Sequence, residues 1–500
     1  MATPGAELLA YHERTKHSVA SVYGGGHHLD WANMPRPFKV YPALDPIPLP
    51  RDFTTSTRPA IAALEDAGTT AGPGAVDRAT LAQLLYFSAG IVRRRTHPGG
   101  EIYFRAAACT GALYHIDLYL VCGPLPDLDA GVYHFGPHDF ALRRLRDGDH
   151  RATVVAASGG EPALAAAPAI LAFTTTFWRN AWKYQTRAYR HAFWDSGTLL
   201  ANLLAVAAAV ALPARIVLGF VDDVLNGLLA LDSAREATIG LVALGRSDVA
   251  PAPSPAIESL ALETLPASAH EVDYPAIGAA HAASSLADPA EAAAWRATSV
   301  ESSPAPPEGP RIPLAASLAV PEPIEAVILR RGSTRVFAQD PVPFEALSTV
   351  LRAATRGIPG DWHIPRPEPY VIVHAVDGLE PGAYVVDRAT DTLVRLHAGG
   401  VRREAGHLAL GQDLAADAAF NVFWLVDLAP ILSELGNRGY RAAQLEAAIE
   451  GGKAYLAAYA VGLGATGLTF FDDEVTRFFS PHAAGKSVMF LVACGRPGRR

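Results

Sequence analysis

Helical spacings and continuous apolar runs alternate along most of the chain, which is the pattern of a protein that mixes helices and strands. Apolar residues three and four positions apart predict a helix over residues 80–91, and the sequence from Asn180 onward predicts two more. The apolar run at 199–212 contains Asn202 and is too short to span a bilayer, so it predicts a buried helix.

Short apolar runs between the predicted helices have the length and the bounding residues of β-strands. Strands are predicted at residues 116–123, 169–177, 242–246 and 488–495. Residues 131–149 have the pattern of a β-hairpin, with the sequence GPHD at 136–139 as its turn. Because strands and helices occur in both halves of the chain, the predicted fold class is α+β.

The same pattern occurs twice, at one ungapped shift of 251 residues. The matching segments are RAYR at 187–190 with RGYR at 438–441, GVY at 131–133 with GAY at 382–384, LRRL at 142–145 with LVRL at 393–396 and, more loosely, LGFVDD at 218–223 with TFFDDE at 469–474. We therefore predict two copies of one domain, packed about a pseudo-two-fold axis as the subunits of a homodimer would be after fusion.

Composition divides the chain around this repeat. The predicted parts are an irregular N-terminal extension at 1–50, a first domain at 51–249, a linker rich in Ala, Pro and Ser at 250–323, and a second domain at 324–500. Within the linker, Asp288 as N-cap and Pro289 at the first helical position predict a short helix at 288–297.

The bulk composition excludes several classes of function. A formal net charge of −8 argues against a nucleic-acid surface as the main activity. Cys109, Cys122 and Cys494 are too scattered for a disulfide framework or a zinc site, so we expect no metal and a cytoplasmic protein. The N-terminal residues lack the apolar core of a signal peptide, and we expect no membrane attachment.

Basic side chains cluster where the second copy begins, in the sequence ILRRGSTRVF. Arg331, Ser333 and Arg335 bring two guanidinium groups and a hydroxyl together, close to a predicted helix start. Guanidinium groups bind phosphate oxygens through paired hydrogen bonds, and a helix N-terminus adds backbone N–H donors. The local pattern alone fits a phosphate-binding site and a solvated basic turn equally well.

These residues resemble a motif of the flavin-dependent nitroreductase superfamily, in which an Arg-x-Ser-x-Arg/Lys pattern binds the phosphate of FMN. The resemblance implies that Arg331, Ser333 and Arg335 hold that phosphate, and that the C-terminal sequence CGRPGRR approaches it through Arg496. Within the superfamily the chain is similar to the SagB-type dehydrogenases, the azoline oxidases of ribosomal peptide pathways. The similarity rests on YHERTKHS, LDWANMPRPFKVYP, RAAACTGALYHIDLY and a Lys-Tyr pair at Lys183-Tyr184.

The resemblance also implies that flavin contacts come from both copies. In the first copy, the segment that would cover the flavin is Cys109, Thr110, Gly111 and Ala112, with Cys109 as a small buried thiol. In the second copy, the segment at the flavin edge is Ala465, Thr466 and Gly467. The covering segment of the second copy, 359–363, has lost the family pattern, and only residues 51–58 offer a phosphate grip in the first. We therefore expect one composite FMN site per chain and a vestigial counterpart.

Lys183-Tyr184 is the candidate for the chemistry, because it matches the catalytic Lys-Tyr pair of the azoline oxidases. A lysine that acts as a base needs a lowered pKa. In one continuous helix, Arg187 and Arg190 would share the face of Lys183 and lower its pKa, or would face the substrate. The competing interpretation is an ordinary surface lysine. The register partners of the pair, Glu434-Leu435, have neither functional group.

The resemblance thus implies an FMN-dependent oxidase or dehydrogenase that aromatises azolines in a ribosomally made peptide, with a cyclodehydratase complex as a candidate partner. Two alternatives stay open: an FMN-dependent reductase of a small molecule that uses NAD(P)H, and a non-catalytic flavin-binding partner of a cyclodehydratase. We expect a monomer that is itself a pseudo-dimer, or a further homo-oligomer. Asp195 and Glu236 are expected to cap or brace helices rather than to act as acids.

Overall fold

The computed structural model describes residues 4–66, 68, 74–97, 100–301 and 306–499. The strands of the first half are β1 Pro46–Pro48, β2 Ile91–His97, β3 Gly100–Arg105, β4 Ile116–Cys122, β5 Gly131–Gly136, β6 Ala141–Asp147, β7 Ala169–Thr176, β8 Ala214–Val217 and β9 Glu236–Leu244. Its helices are α1 Ala6–Arg14, α2 Val19–Tyr23, α3 Ala60–Glu65, α4 Arg78–Ala89, α5 Arg151–Ala157, α6 Pro162–Ala166, α7 Phe177–Tyr184, α8 Ala188–Ala209 and α9 Asp222–Leu228.

The second half contains the same kinds of elements in nearly the same order. Its strands are β10 Arg311–Pro313, β11 Glu368–Val373, β12 Gly382–Asp387, β13 Thr392–Ala398, β14 Phe420–Val426, β15 Gly464–Gly467 and β16 Ser487–Gly495. Its helices are α10 Pro275–Ala283, α11 Pro289–Ala297, α12 Ile324–Arg330, α13 Phe344–Thr355, α14 Arg402–Leu408, α15 Asp413–Asp417, α16 Leu428–Leu435, α17 Gly439–Ala460 and α18 Asp472–Phe478.

Each half forms one antiparallel seven-stranded sheet, and the two sheets have the same strand order. The first runs β1-β6-β5-β4-β7-β9-β8 and the second β10-β13-β12-β11-β14-β16-β15. The α+β prediction of two tandem domains in an intrachain pseudo-dimer is confirmed. The hairpin β2–β3 forms a separate two-stranded sheet with no counterpart in the described part of the second half.

The repeat keeps its shift of 251 residues through α7 and α8, which correspond to α16 and α17. After these long helices the shift becomes 250, because β8 and α9 correspond to β15 and α18. Asp222 is therefore the counterpart of Asp472, and the loose match of LGFVDD with TFFDDE at a shift of 251 was one residue out of register. A one-residue difference in the connection between α8 and β8 accounts for it.

The long helices α8 and α17 pack against each other at the centre of the molecule. Their close approach depends on glycine: a Cβ on Gly197 would lie 2.4 Å from Cβ of Ala448, and one on Gly452 would lie 2.7 Å from Cβ of Ala201. In the described part of the chain, Phe177–Ala209 is the one helical stretch long and apolar enough to cross a membrane, but 89% of its most apolar window is buried in the protein. It is a core helix, as predicted from 199–212.

The segment predicted as a linker, 250–323, is more structured than its composition suggests. The expected helix is present as α11, and the Asp288 side chain accepts from two backbone N–H groups at its start. Residues 302–305 of the segment lie outside the described residues. Helix α10 precedes α11, and its His281 and Ser284 occupy the same setting beside Arg441 as His12 and Thr15 of the N-terminal extension do beside Arg190. The repeat therefore begins at α10, inside the predicted linker.

Each half supplies a buried carboxylate to two arginines of the other half. Asp472 of the second half pairs with Arg187 (3.1 Å) and Arg190 (2.6 Å) at the start of α8. Asp222 of the first half pairs in the same way with Arg438 (2.6 Å) and Arg441 (2.7 Å). Because all these groups are buried, each carboxylate compensates charges that would otherwise be left in a low-dielectric interior.

Candidate functional site

Lys183 lies at the end of α7, where the chain turns sharply. The helix ends at Tyr184 because Gln185 has a positive φ of 49°, and α8 begins only at Ala188. The Lys183 side chain is half-buried, with Nζ 5.4 Å from the centre of the Tyr184 ring. Burial lowers the pKa of Lys183, and the nearby Arg335 guanidinium lowers it further. Among the described residues, Nζ has no carboxylate partner, which suits a lysine that must lose its proton.

Tyr184 is packed against the predicted covering segment of the same domain. Gly111 has a φ of 62°, and a Cβ built on it would lie 2.9 Å from the Tyr184 hydroxyl oxygen. Glycine is therefore needed for both the backbone conformation and the close approach. Burial, and then the charge of Asp195, raise the pKa of Tyr184 above its ordinary value. The hydroxyl is protonated at neutral pH and available as a hydrogen-bond donor.

Asp195 of α8 holds the covering segment in place. Its carboxylate accepts hydrogen bonds from the backbone N–H of Thr110 (2.8 Å), the Thr110 hydroxyl (2.6 Å), the Cys109 thiol (3.0 Å) and His115 Nε2 (2.8 Å). Asp195 was expected to cap or brace a helix, and instead it braces this loop. Cys109 is half-buried rather than fully buried, and desolvation raises the pKa of its thiol well above the ordinary value, so the thiol is neutral.

The Arg331–Arg335 loop of the second domain faces this assembly. It follows the end of α12 rather than opening a helix, so the predicted helix N-terminus is absent. Ser333 and Arg335 are exposed, and no acidic partner of Arg335 occurs among the described residues. The Tyr455 hydroxyl lies 2.9 Å from Ser333 Oγ. Arg331 crosses to the first domain, where it donates to the carbonyl oxygens of Arg105 and Ala106.

Two further predicted segments lie beside this loop. The backbone N–H of Thr334 donates to the Ala465 carbonyl of β15 (2.9 Å), which places Thr466 and Gly467 close to the loop. The C-terminal tail runs along the following residues, since Ala338 N–H donates to the Arg496 carbonyl and Gly498 N–H to the Val336 carbonyl. The Arg496 side chain is exposed and bonds the Pro341 carbonyl (2.9 Å). Arg500 lies outside the described residues.

The structure contradicts the role expected for Arg187 and Arg190. Because a 3-10 helix at Gln185–Arg187 separates α7 from α8, Lys183 and the two arginines do not share one helical face. Both guanidinium groups are buried and turn to Asp472, and Arg190 also donates to the Thr15 hydroxyl. The neighbouring cation that lowers the pKa of Lys183 is Arg335, from the other domain.

The first domain's counterpart of the Arg331–Arg335 loop is also not where the sequence placed it. Residues 51–58 precede α3, whereas the Arg331–Arg335 loop follows the corresponding helix α12. Arg58 bonds the Ala208 carbonyl and Asp66, and Arg51 lies over the Phe140 ring. The true counterpart is the sequence DAGTTAGPGAVD at 66–77, which contains no Lys or Arg. Residues 67 and 69–73 of it lie outside the described residues.

Side chains of the protein fill the location equivalent to the Lys183 site. Asp361, from the second domain's covering segment, accepts from the backbone N–H groups of Leu218 (2.7 Å) and Gly219 (2.9 Å) just after β8. The Trp362 indole donates to Glu446 (2.8 Å), the counterpart of Asp195. From α11, Trp295 packs at Gly219 and donates to the Leu435 carbonyl (3.2 Å). Asp361 is fully buried, so these residues close the second site from within.

Sequence reasoning missed Asp361, Trp295 and the bracing role of Asp195. The loss of the family pattern at 359–363 indicated that the second site was changed, but not that Asp361 fills it. Trp295 lies in a stretch whose composition indicated a linker. Asp195 and Glu446 are aligned by the shift of 251, so the repeat itself carried a usable signal for their shared position.

Comparisons with known proteins agree with this architecture. Residues 328–496 match the model of the Nitroreductase family. A Methanocaldococcus jannaschii protein named "Putative nitroreductase" is 29% identical over 161 residues, which are 30% of this chain and 81% of that protein. A "putative nitroreductase" of Anabaena variabilis has 25% identity and a TM-score of 0.79, over 99% of this chain and 100% of that chain.

A chain of the E. coli microcin synthetase McbBCD complex with truncated pro-MccB17 bound is a weaker match, with 21% identity and a TM-score of 0.32 over 50% of this chain and 89% of that chain. The chain is therefore an α+β protein of two nitroreductase-like domains in tandem, the second of which matches the Nitroreductase family.

Proposed function

We propose that the protein is an FMN-dependent oxidoreductase that oxidises thiazoline or oxazoline rings in a peptide to the aromatic azoles, at one composite site per chain. The observation that carries the proposal is the convergence of Lys183-Tyr184 and Gly111 from the first domain with Arg335 from the second. These groups are far apart in the sequence, and the two nitroreductase-like domains supply them from opposite sides of one location.

The residues at this location fit FMN. Arg335 and the Ser333 hydroxyl are exposed cationic and polar groups suited to a phosphate monoester, and the described residues offer Arg335 no competing carboxylate. Gly332 and Gly467 leave open space, since a Cβ at either would have no neighbour closer than 3.8 Å. The covering segment at Thr110–Ala112 is fixed by Asp195 and would limit one side of the flavin pocket.

Lys183 would act as the base. Aromatising an azoline removes a proton from one ring carbon and a hydride from the other, and bound FMN supplies the hydride acceptor. Burial and Arg335 both favour the neutral amine of Lys183, which can then take the ring proton at Nζ. The protonated Tyr184 hydroxyl can donate to a ring heteroatom and orient the ring. Molecular oxygen is the proposed final electron acceptor.

Anaerobic bleaching of the flavin absorption band tests the proposal directly. We expect a thiazoline-containing peptide to bleach the band of the purified yellow protein, with one thiazole formed per flavin. The matched control is the same peptide with the ring already oxidised, which should leave the band unchanged. Bleaching by NAD(P)H with no response to the thiazoline peptide would favour a small-molecule reductase and contradict the proposal.

A further inference from the structure

A groove of about 640 Å³ opens beside the covering segment, at Ala112. Three segments line the rest of it: residues 34–37 of the N-terminal extension, residues 101–103 of β3, and residues 266–269 after the first domain. The groove lies next to the candidate active site, because Ala112 of the covering segment lines it and Ala267 packs on the Trp178–Trp182 cluster that Tyr184 also contacts.

The walls of the groove are held by specific contacts. The N-terminal and 266–269 segments run side by side, with Arg36 N–H donating to the Ala267 carbonyl (2.7 Å). Asn33 exchanges hydrogen bonds with the backbone of His270 in both directions. On the other wall, Phe38 packs edge-on to Tyr103, with ring centres 5.4 Å apart. The groove is thus built from ordered backbone.

The hairpin that forms one wall of the groove is an insertion of the first half. The connection that carries β2 and β3 runs from residue 90 to 115, whereas its counterpart in the second half runs only from 356 to 367. The wall also exposes large apolar side chains, since Met34 is 45% exposed, Ile102 42% and the neighbouring Trp31 66%. The insertion adds a wall beside the Lys183 site and has no counterpart in the shorter connection beside the site that Asp361 fills. This difference points to a role in substrate binding.

Basic residues outnumber acidic ones when the groove lining and the neighbouring β2–β3 hairpin are taken together, in a chain whose net charge is −8. Arg36 lines the groove, and Arg95 lies directly opposite Ile102 in the hairpin, so it shares the face of that groove residue. Arg93 follows on the same face and lies over the Phe104 ring. None of these three arginines has an acidic partner among the described residues. The one groove carboxylate, Glu101, accepts a hydrogen bond from the Tyr103 hydroxyl (2.7 Å).

We infer that this groove binds an extended, acidic polypeptide segment that flanks the ring being oxidised. The inference rests on the proposed function for the ring itself and adds the chemistry of the flanking chain. An extended chain can lie along the backbone segments 34–37 and 266–269, which form one wall of the groove. Acidic side chains match Arg36, Arg93 and Arg95, and apolar side chains on the same segment would cover Met34 and Ile102.

Binding of labelled peptides to the yellow full-length protein tests the inference without any need for turnover. Three fluorescein-labelled peptides would share one Gly/Ser frame and one thiazole ring, flanked by four Glu, four Gln or four Lys. We expect the Glu peptide to bind at least about tenfold tighter than the Lys peptide, and its affinity to fall between 0.05 and 0.5 M salt because exposed charges are screened over roughly 10 Å or less.

The variant Arg36→Glu/Arg95→Glu should bind the Glu peptide about tenfold more weakly, since two rim attractions become repulsions. Arg403→Glu/Arg477→Glu makes the same change in net charge on exposed positions of α14 and α18, and should change the affinity less than about twofold. Arg36→Gln/Arg95→Gln should give an intermediate loss, which guards against misfolding of the first variant.

Equal affinities for the Glu and Gln peptides, equal losses in the groove and control variants, or no binding of any peptide would each overturn the inference. Failure of the proposed function has a different signature. In that case a short thiazoline without flanking residues, and every flanked thiazoline, would leave the flavin band unbleached, while the peptide affinities would still decide what the groove binds.

Discussion

The two pseudo-equivalent locations in this chain differ in what occupies them. At one, Lys183-Tyr184 and the covering segment of the first domain face the exposed Arg335 of the second. At the other, Asp361 bonds the Leu218 backbone, Trp362 bonds Glu446, and Trp295 bonds the Leu435 carbonyl. The sequence there that corresponds to the Arg331–Arg335 loop, residues 66–77, contains no Lys or Arg. In a symmetric dimer both sites would have to keep their function, whereas fused copies can keep one and use the other for packing.

One pair of equivalent positions shows how acidic residues in the two halves have come to hold different partners. Asp195 and Glu446 occupy equivalent places on α8 and α17, and both hold a covering segment. Asp195 accepts from the backbone and hydroxyl of Thr110 and from the Cys109 thiol, whereas Glu446 accepts from the Trp362 indole. Burial, and then the charge of Glu450, raise the pKa of Glu446 to about 7. A buried carboxyl that is half-protonated at neutral pH is thus part of the closed site.

The largest effect is expected from Lys183→Ala. The fold and the FMN should be retained because Lys183 is assigned to the substrate, and oxidation should fall by roughly 10²–10⁴, the usual contribution of a positioned base. Anaerobic flavin bleaching by a thiazoline peptide measures it, and Tyr184→Phe should lose less. Glu434→Ala at the closed site is the matched control. A Lys183→Ala protein that bleaches as fast as wild type would return this residue to the surface-lysine interpretation.

Removing Asp361 should cost stability and leave activity intact. Asp361→Ala leaves two buried backbone N–H groups without an acceptor, which costs about 1–3 kcal/mol for each group. We therefore expect the free energy of unfolding to fall by about 2–5 kcal/mol, seen as a lower midpoint of thermal unfolding. Flavin content should stay at one FMN per chain. Asp195→Ala, which removes the carboxylate that holds the covering segment of the other site, should instead reduce FMN binding and turnover. Two FMN per chain in either variant or in wild type would contradict a closed second site.

Arg335→Ala should weaken FMN binding. Losing a charge-assisted hydrogen bond to phosphate costs about 1.5–3 kcal/mol, or roughly tenfold to a hundredfold in affinity, so the protein should purify pale. Arg331→Ala should lose less, because Arg331 already donates to carbonyl oxygens of the first domain. Arg58→Ala, whose guanidinium bonds the Ala208 carbonyl, is the control and should stay yellow. Full flavin content in Arg335→Ala would place the phosphate elsewhere.

Glu446→Gln should flatten part of the pH dependence of stability. The folded-state pKa is about 7 against an ordinary value of 4.5, so the stability from the protonated form is complete below pH 4.5 and is lost as the pH rises through 7. Relative to wild type, the Gln variant should gain about 1–3 kcal/mol at pH 8 and little at pH 5. Thermal unfolding at both pH values measures this, with the exposed Glu434→Gln as control. An equal gain at pH 5 and pH 8 would contradict it.

The smallest effect concerns the pH–rate profile of the open site. Lys183 acts as a base only when neutral, so oxidation should rise with pH through the lowered pKa of Lys183. Arg335→Gln, measured at saturating FMN, removes a nearby positive charge and should raise that pKa, which moves the rise to higher pH. Arg496→Gln, with its side chain on the Pro341 carbonyl, should leave the profile in place. An unshifted profile in Arg335→Gln would show that the charge of Arg335 does not influence the pKa of Lys183.

The fold could be predicted from the sequence because the two copies share their apolar pattern and a few polar motifs such as RAYR and RGYR. The sequence located the β5–β6 hairpin and the closing strand β16 to within a few residues, whereas β9 begins six residues before the predicted strand at 242–246. It was insufficient where long-range contacts decide. One left-handed residue, Gln185, separates Lys183 from Arg187, and partners some 285 positions away along the chain take Arg187 and Arg190 into an ion cluster. Composition also concealed α10, because Ala-rich sequence forms either helix or linker.

The exchanged carboxylates of Asp222 and Asp472 have a consequence for any attempt to divide the protein. A fragment ending near residue 250 would keep Arg187 and Arg190 in its core without Asp472, and its partner fragment would keep Arg438 and Arg441 without Asp222. Each would bury two uncompensated cations, which is severely destabilising. Co-expressed fragments can restore both clusters only by assembling with each other, so the halves are suited to a split-protein complementation pair rather than to use as independent domains.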